Sequence, residues 1–367
     1  MTAPSYDYLI VGAGLFGAVC ARELTDAGKK VLVIERREHI AGNCYTQNMA
    51  GINVHMYGPH IFHTSNDEVW KYVNRFATFN NFVYRPMVRY HGKLYSFPIN
   101  LLTMYQIFGV QTPEEAKRKL EEVRVRNSSP KNMEEFALDA VGEEIYETFI
   151  KGYTTKQWGR TPDQLPADIF KRLVVRTNFD TNYYRDTHQG IPIGGYTKMI
   201  DNMLQGVEVL LGVDYFKARE RWDGVAPKVI YTGPIDRYFQ FVNGELEYIN
   251  MRFDHKEVDT PDFQGVAAIN HTEIEVPYTR IVEHKHFEFA NTPTTVITHE
   301  YSLGVGIGLD KYYPIGDKKN LAKLEQYKSL AAVRPDVIFG GRLAEYKYYD
   351  MHQVIANALE TVKKELA

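Results

Sequence analysis

The sequence predicts an α/β (Rossmann-like) domain, interrupted by an inserted helical bundle and an antiparallel β-sheet domain. Three observations predict this fold. Gly12-Ala13-Gly14-Leu15-Phe16-Gly17 is a G-x-G-x-x-G set between an apolar run and a helical period. A charged stretch from Thr112 carries successive helix-capping signals. Two aromatic-rich stretches, Phe82 to Phe97 and Thr272 to Phe289, alternate at the period of a strand.

Taken in order, Tyr8 to Val11 reads as a strand, Leu15 to Ala27 as a helix ending at Gly28, and Val31 to Glu35 as a second strand. Thr112-Pro113-Glu114-Glu115 is a capping box that opens a helix to about Arg126. Further helices are expected from near Asn132 towards Ala140 and from Glu143 to about Lys151, and Thr161-Pro162-Asp163-Gln164 repeats the capping pattern. Val296 to Tyr301 reads as strand, and Gly304 to Gly308 as a loop in or beside the sheet. The α/β unit returns at Lys228 to Gly233 and at Val337 to Phe339, before a C-terminal helix to about Glu365. The expected division is discontinuous. Residues 1–80, 193–242 and 331–367 form the nucleotide domain, 100–170 the helical bundle, and 81–99, 171–192 and 243–330 the sheet.

Composition bounds the function. The 367 residues carry 43 Lys plus Arg against 46 Asp plus Glu, a net charge of −3, which gives no electrostatic case for nucleic acid or an anionic membrane. No apolar run approaches the roughly 20 residues that span a bilayer. Only Cys20 and Cys44 occur, so neither a disulfide framework nor a thiolate zinc site is expected, and a cytoplasmic location is. Tyrosine is abundant, at 26 residues, and suits sites for flat or hydroxylated ligands.

In the glycine loop, Gly12 permits a tight turn, Gly14 lets backbone N–H groups approach a pyrophosphate, and Gly17 lets helix and strand pack closely. The helix N-terminus adds orphan donors for the anion. Glu35 lies at the next strand end, where it can accept from ribose hydroxyls. Arg36 and Arg37 read as basic loop residues rather than an NADP signature, and Arg36 and Phe16 are counted with the cofactor residues. Gly42 and Asn43 after the second strand, with Gly340-Gly341-Arg342 late in the chain, favour an extended FAD. Arg342 could neutralise phosphate there, and Asp350-Met351 would begin the last helix beside the isoalloxazine, its dipole favouring an anionic ring. His55, His60 and His63 have no carboxylate or cysteine at ligand spacing, so no metal is expected. His284 and His286 would share one strand face.

Gly58-Pro59-His60-Ile61-Phe62-His63-Thr64, Tyr153-Thr154-Thr155-Lys156-Gln157-Trp158, Tyr278-Thr279-Arg280 with Glu283-His284-Lys285, and Tyr348-Tyr349-Asp350-Met351 together resemble the bacterial UDP-galactopyranose mutases. The resemblance runs from Tyr6 to the C-terminus. It implies an FAD domain, a helical bundle and a six-stranded antiparallel sheet. It also implies interconversion of UDP-galactopyranose and UDP-galactofuranose by a reduced FAD, with N5 attacking the anomeric carbon and UDP leaving. That chemistry is redox-neutral and needs no hydride-donor domain. By the same resemblance Arg172, in a lid near 165–175, and Arg280 grip the diphosphate. Phe149, Tyr153, Thr154, Trp158 and Asn270 surround the uridine half. Tyr183, Tyr313 and Tyr348 contact phosphate, with their neighbours Tyr184, Tyr312 and Tyr349 leaving the register open. His60 and His63 lie against the flavin, and Asp350 near the sugar. A homodimer and a role in galactofuranose-containing surface polysaccharide are implied as well; the reductant is unknown. The alternative is an FAD-dependent oxidoreductase of the amine-oxidase type, which shares the cofactor fold.

Overall fold

A computed structural model describes residues 5–167, 175–306 and 310–367. Short β-branched runs pair in parallel in the order Val337–Phe339, Lys228–Tyr231, Tyr8–Val11, Val31–Ile34, Glu208–Leu210. Alternate residues of these strands enter different cores. Ile10, Val33 and Ile230 pack with helices Leu15–Asp26, Gly195–Met203 and Met351–Leu366, whereas Leu9, Leu32, Val229 and Tyr231 pack with Tyr215, Trp222 and Tyr238. Both faces are covered, which is what an all-parallel sheet requires. Strand order reverses between Tyr8–Val11 and Lys228–Tyr231, so a crevice opens beyond their carboxyl ends.

The second sheet has seven strands where the resemblance implies six. Its order is Tyr313–Pro314, Tyr248–Val258, Thr295–Gly306, Arg280–Glu283, Ala268–His271, Met87–Tyr90, Lys93–Ser96, and one pairing, Met87–Tyr90 with Ala268–His271, is parallel. Gly304–Gly306, expected as a loop, complete a strand; Ile307, Gly308 and Leu309 lie outside the described residues. The alternation over Thr272 to Phe289 does not become one strand. Residues 272–279 form the loop of a hairpin, only Arg280–Glu283 is extended, and His284–His286 is a 3₁₀ turn. His284 and His286 therefore do not share a strand face: His284 is buried against Thr298 Oγ1 at 2.6 Å, and His286 meets Glu283 at 3.2 Å. Phe82 to Phe97 likewise yields only the hairpin of Met87–Tyr90 and Lys93–Ser96, because Pro86 lacks a ladder donor.

In the helical unit Thr112 and Glu115 form the reciprocal capping box, and helix Pro113–Val123 follows. Helix Met133–Ile145 bends at Gly142, whose φ is +77° and whose Cβ would lie 2.7 Å from Val123. It continues as a π-helical turn, Tyr146–Lys151, and then as helix Gly152–Trp158. Single π turns often mark functional sites. The Thr161 capping pattern produces only the turn Pro162–Gln164, with no side-chain cap, because Pro166 holds Leu165 extended. Helices Leu101–Phe108, capped by Asn100 and Thr103, and Lys318–Ala332 were not expected.

Glu283 ties the sheet to the loop before it. Its fully buried carboxylate accepts from the N–H groups of Phe263 and Gln264, both at 2.9 Å. Burial raises its pKa, but His286 and these backbone donors outweigh that and hold it at about 2. Its contribution is therefore present above about pH 4.5 and fades as pH falls towards 2. Glu283→Gln should cost about 2–3 kcal/mol in urea unfolding at pH 7, with the gap from wild type closing in acid; an equal gap at pH 3 would contradict this role.

Candidate functional site

A cleft of about 590 Å³ begins at the switch point of the parallel sheet and reaches the edge of the second sheet at Arg280 and Glu300. At its inner end the three glycines have distinct tasks. Gly12 adopts φ +113°, and a Cβ there would meet Thr232 Oγ1 at 2.0 Å. A Cβ on Gly17 would lie 2.0 Å from Gly12 O. Gly14 differs: its Cβ would meet nothing nearer than Gly42 Cα at 3.8 Å. Packing does not require a glycine at 14, and the backbone there is left open. The space faces the N-terminus of helix Leu15–Asp26, which suits a pyrophosphate. Phe16 is buried and its side chain lies against Gly340 and Gly341: a Cβ on Gly340 would meet the ring at 2.1 Å, and one on Gly341 would lie 3.2 Å from Phe16 Cβ.

Glu35 is nearly buried and fixed by two backbone donors, Ala13 N–H to Oε2 and Arg37 N–H to Oε1, each at 2.9 Å. Two hydrogen bonds leave acceptor capacity on the carboxylate for ribose hydroxyls. Arg36 pairs with Asp310 at 2.7 Å. Arg37 reaches Asp310 at 3.1 Å and takes Asn43 Oδ1, while stacking 4.4 Å over Tyr57. The cradle, the anchored acid and the positive loop fit an extended dinucleotide. Cys44 also borders the cleft, but burial pushes its thiol up to about 12, so it is inert.

Midway along, His60 and His63 line the wall. The ring of His60 meets Gly58 O through Nδ1 at 2.8 Å, and burial lowers its pKa to about 4, so it is neutral at pH 7. His63 Nδ1 sits 2.7 Å from Asp186, with the ring stacked on Tyr184 at 3.6 Å. His55 turns away, stacking on Phe287 in the core. Donor atoms of His63, Asp350 and His352 come within 4.8 Å of one another, a grouping invisible in sequence because the chain segments are far apart. Helix Met351–Leu366 begins here, and Asp350 N–H donates to Gln353 Oε1 at 2.9 Å.

At the outer end, sheet register sets Arg280 opposite Glu300. Arg280 Nε lies 2.9 Å from Glu300 Oε2, and its Nη2 donates to Tyr153 Oη at 2.8 Å. Burial opposes the charge, but Tyr153 and Glu300 hold the guanidinium pKa well above its ordinary value. Tyr313 and Tyr348 stack at 5.5 Å beside it, and Arg342 Nη2 donates to Tyr312 O at 2.6 Å.

Other expected residues lie behind this wall. Phe149 belongs to the helical core, Thr154 is buried, and Trp158 is half-buried between that core and Met251. Asn270 is buried opposite Arg280, and its Oδ1 finds no partner among the described residues. Tyr183 packs against Phe97 and Tyr84, whereas Tyr184 borders the cleft. Arg172 lies outside the described residues. Of the Tyr183/Tyr184 pair left open by the sequence, Tyr184 borders the cleft; Glu300 and Asp186 escape the sequence reading, because only strand pairing and distant contacts bring them in.

A family model described as UDP-galactopyranose mutase matches residues 148–348, and an NAD(P)-binding Rossmann-like model matches 10–76. A probable UDP-galactopyranose mutase of Klebsiella pneumoniae is 42% identical over 98% of this chain and 94% of its own. The chain belongs to the UDP-galactopyranose mutase family. The dTDP-fucopyranose mutase of Escherichia coli is 37% identical over 96% of each chain. A crystal structure of a reduced UDP-galactopyranose mutase shares the fold, with a TM-score of 0.72 at 16% identity, covering all of this chain and 94% of that one. The family likeness spans nearly the whole chain and not the nucleotide unit alone, which sets the amine-oxidase alternative aside. As a member of this family the chain is an isomerase. Among the described residues, no helix is long and apolar enough to cross a membrane.

The glycine geometry separates packing from binding. Gly17→Ala should lower stability by about 1–3 kcal/mol. Gly14→Ala should stay within about 0.5 kcal/mol of wild type yet purify with much less flavin. Melting curves and flavin absorbance check both; a flavin-replete Gly14→Ala protein would contradict the cradle.

Proposed function

We propose that the chain interconverts UDP-galactopyranose and UDP-galactofuranose with reduced FAD bound in the inner half of the cleft, for galactofuranose-containing surface polysaccharide. The observation that carries this reading is the charged Arg280, fixed by Glu300 and Tyr153 at the outer end of the same cleft. When bound and reduced, FAD supplies the nucleophile for the anomeric carbon, so no protein side chain need be activated for attack.

The protein's own residues then bind, orient and stabilise charge. Arg280 holds the diphosphate. As the bond to the sugar breaks, negative charge builds on that diphosphate, and a pre-fixed cation stabilises the transition state more than the ground state. Arg172 is assigned the second grip. Tyr313 and Tyr348 offer hydroxyl donors on the same side. Asn270 supports the uridine end, since its unpartnered buried Oδ1 is an acceptor waiting for a donor such as the imide N–H of uracil. Phe149, Tyr153, Thr154 and Trp158 complete that end, with Tyr153 also bracing Arg280. Neutral His60 and the Asp186-anchored His63 face the flavin side.

The E. coli relative supports a second reading, in which the substrate is a dTDP-linked 6-deoxy sugar. Dithionite-reduced protein incubated with UDP-galactofuranose should give UDP-galactopyranose, and should process dTDP-fucopyranose more slowly. Turnover of the dTDP sugar alone would favour the second reading, and no turnover of either would overturn both. Arg280→Lys should lower kcat about a hundredfold or more, because an ammonium cannot keep Glu300, Tyr153 and a phosphate oxygen in one plane. Near-normal kcat in that variant would contradict the role given to the guanidinium.

A further inference from the structure

The loop that delivers Arg280 is built around a side chain from another unit. Between strands Ala268–His271 and Arg280–Glu283 the chain turns its carbonyls inward, and the ammonium of Lys156 fills the centre. Lys156 Nζ donates to His271 O at 2.8 Å, Val276 O at 3.0 Å and Tyr278 O at 2.9 Å. Three donors radiating from one point match three converging carbonyls, which a planar guanidinium cannot do. Lys156 stands on helix Gly152–Trp158, three residues after Tyr153, whose hydroxyl accepts from Arg280. The helix and the π turn Tyr146–Lys151 before it also hold the loop. Thr272 Oγ1 donates to Thr148 O at 2.6 Å, and a Cβ on Gly152 would lie 2.1 Å from Thr272 O. Burial lowers the Lys156 pKa to about 8, opposed by Glu273 and Glu275, so the ammonium is mainly charged at pH 7.

We propose that Lys156 is a positioning residue for Arg280: it shapes the 271–279 loop so that the guanidinium and Tyr153 meet at the diphosphate seat. Lys156 does not line the cleft and acts through Arg280. This rests on the reading that Arg280 binds the diphosphate, and a double-mutant cycle separates the two ideas.

The experiment titrates UDP calorimetrically into the FAD-bound oxidised protein as wild type, Lys156→Met, Arg280→Ala and the double variant. Lys156→Met should weaken UDP about tenfold, as expected when a charge-assisted contact is displaced. In the Arg280→Ala background the same change should weaken it less than about twofold, because the contact it positions is already gone. Should Lys156→Met fail to fold, Lys156→Arg keeps the charge but misplaces the donors, and it enters the same cycle with the same criterion of non-additivity. Undiminished UDP affinity in Arg280→Ala would overturn the diphosphate reading and the inference with it. If Arg280→Ala loses affinity while the Lys156 variant keeps it, or if the two losses add in full, the positioning role is overturned and the diphosphate reading stands.

Discussion

The pairing of Arg280 with Glu300 across two antiparallel strands is the constraint on which the outer half of the cleft depends. Register puts a cation and an anion directly opposite each other, and the acid is nearly buried while the guanidinium borders the cleft. A buried pair of this kind adds little net stability, yet removing one partner strands the other. Its value is geometric. Glu300 lies against Nε as an ion pair and Tyr153 accepts from Nη2, so the direction of the guanidinium is set before any ligand arrives. Pre-organised charge of this sort lowers a barrier without reorganising during reaction.

The cleft therefore offers two seats for anions, made by different physics. The inner one is backbone: a helix N-terminus, an uncluttered Gly14 and an anchored Glu35. The outer one is side chain, assembled where the helical unit meets the sheet. Between them lie a neutral histidine and a histidine held by a carboxylate. An extended flavin dinucleotide and a nucleotide sugar, each carrying a pyrophosphate, fit such a pair of seats end to end.

The inner seat was legible because its chemistry is local. A glycine loop, the helix after it and the acid at the next strand end fall within one short segment, and each glycine's reason is a backbone clash or its absence. Helix Pro113–Val123 was legible for the same reason, since Thr112 and Glu115 cap it reciprocally. Where nearby proline overrode the pattern, the reading failed: Pro166 stops the turn after Thr161, and Pro86 and Pro277 fall within stretches that alternate like strands. Glu300 was illegible because only register connects it to Arg280. The carbonyl cage of residues 271–279 was illegible because backbone acceptors leave no trace in a sequence, and the lysine that fills it comes from a distant helix. The resemblance supplied residues such as Asn270 and Tyr313 that no local pattern would single out, while Tyr183 and Tyr184 turn to different sides of one wall.

A crystal structure of the FAD-bound protein with UDP tests the central claim most directly. The account predicts a diphosphate oxygen within about 3 Å of the Arg280 guanidinium, with the Glu300 and Tyr153 contacts intact and the flavin pyrophosphate on the glycine loop. A diphosphate seated away from Arg280, or Arg280 swung off Glu300 to reach it, would contradict the account.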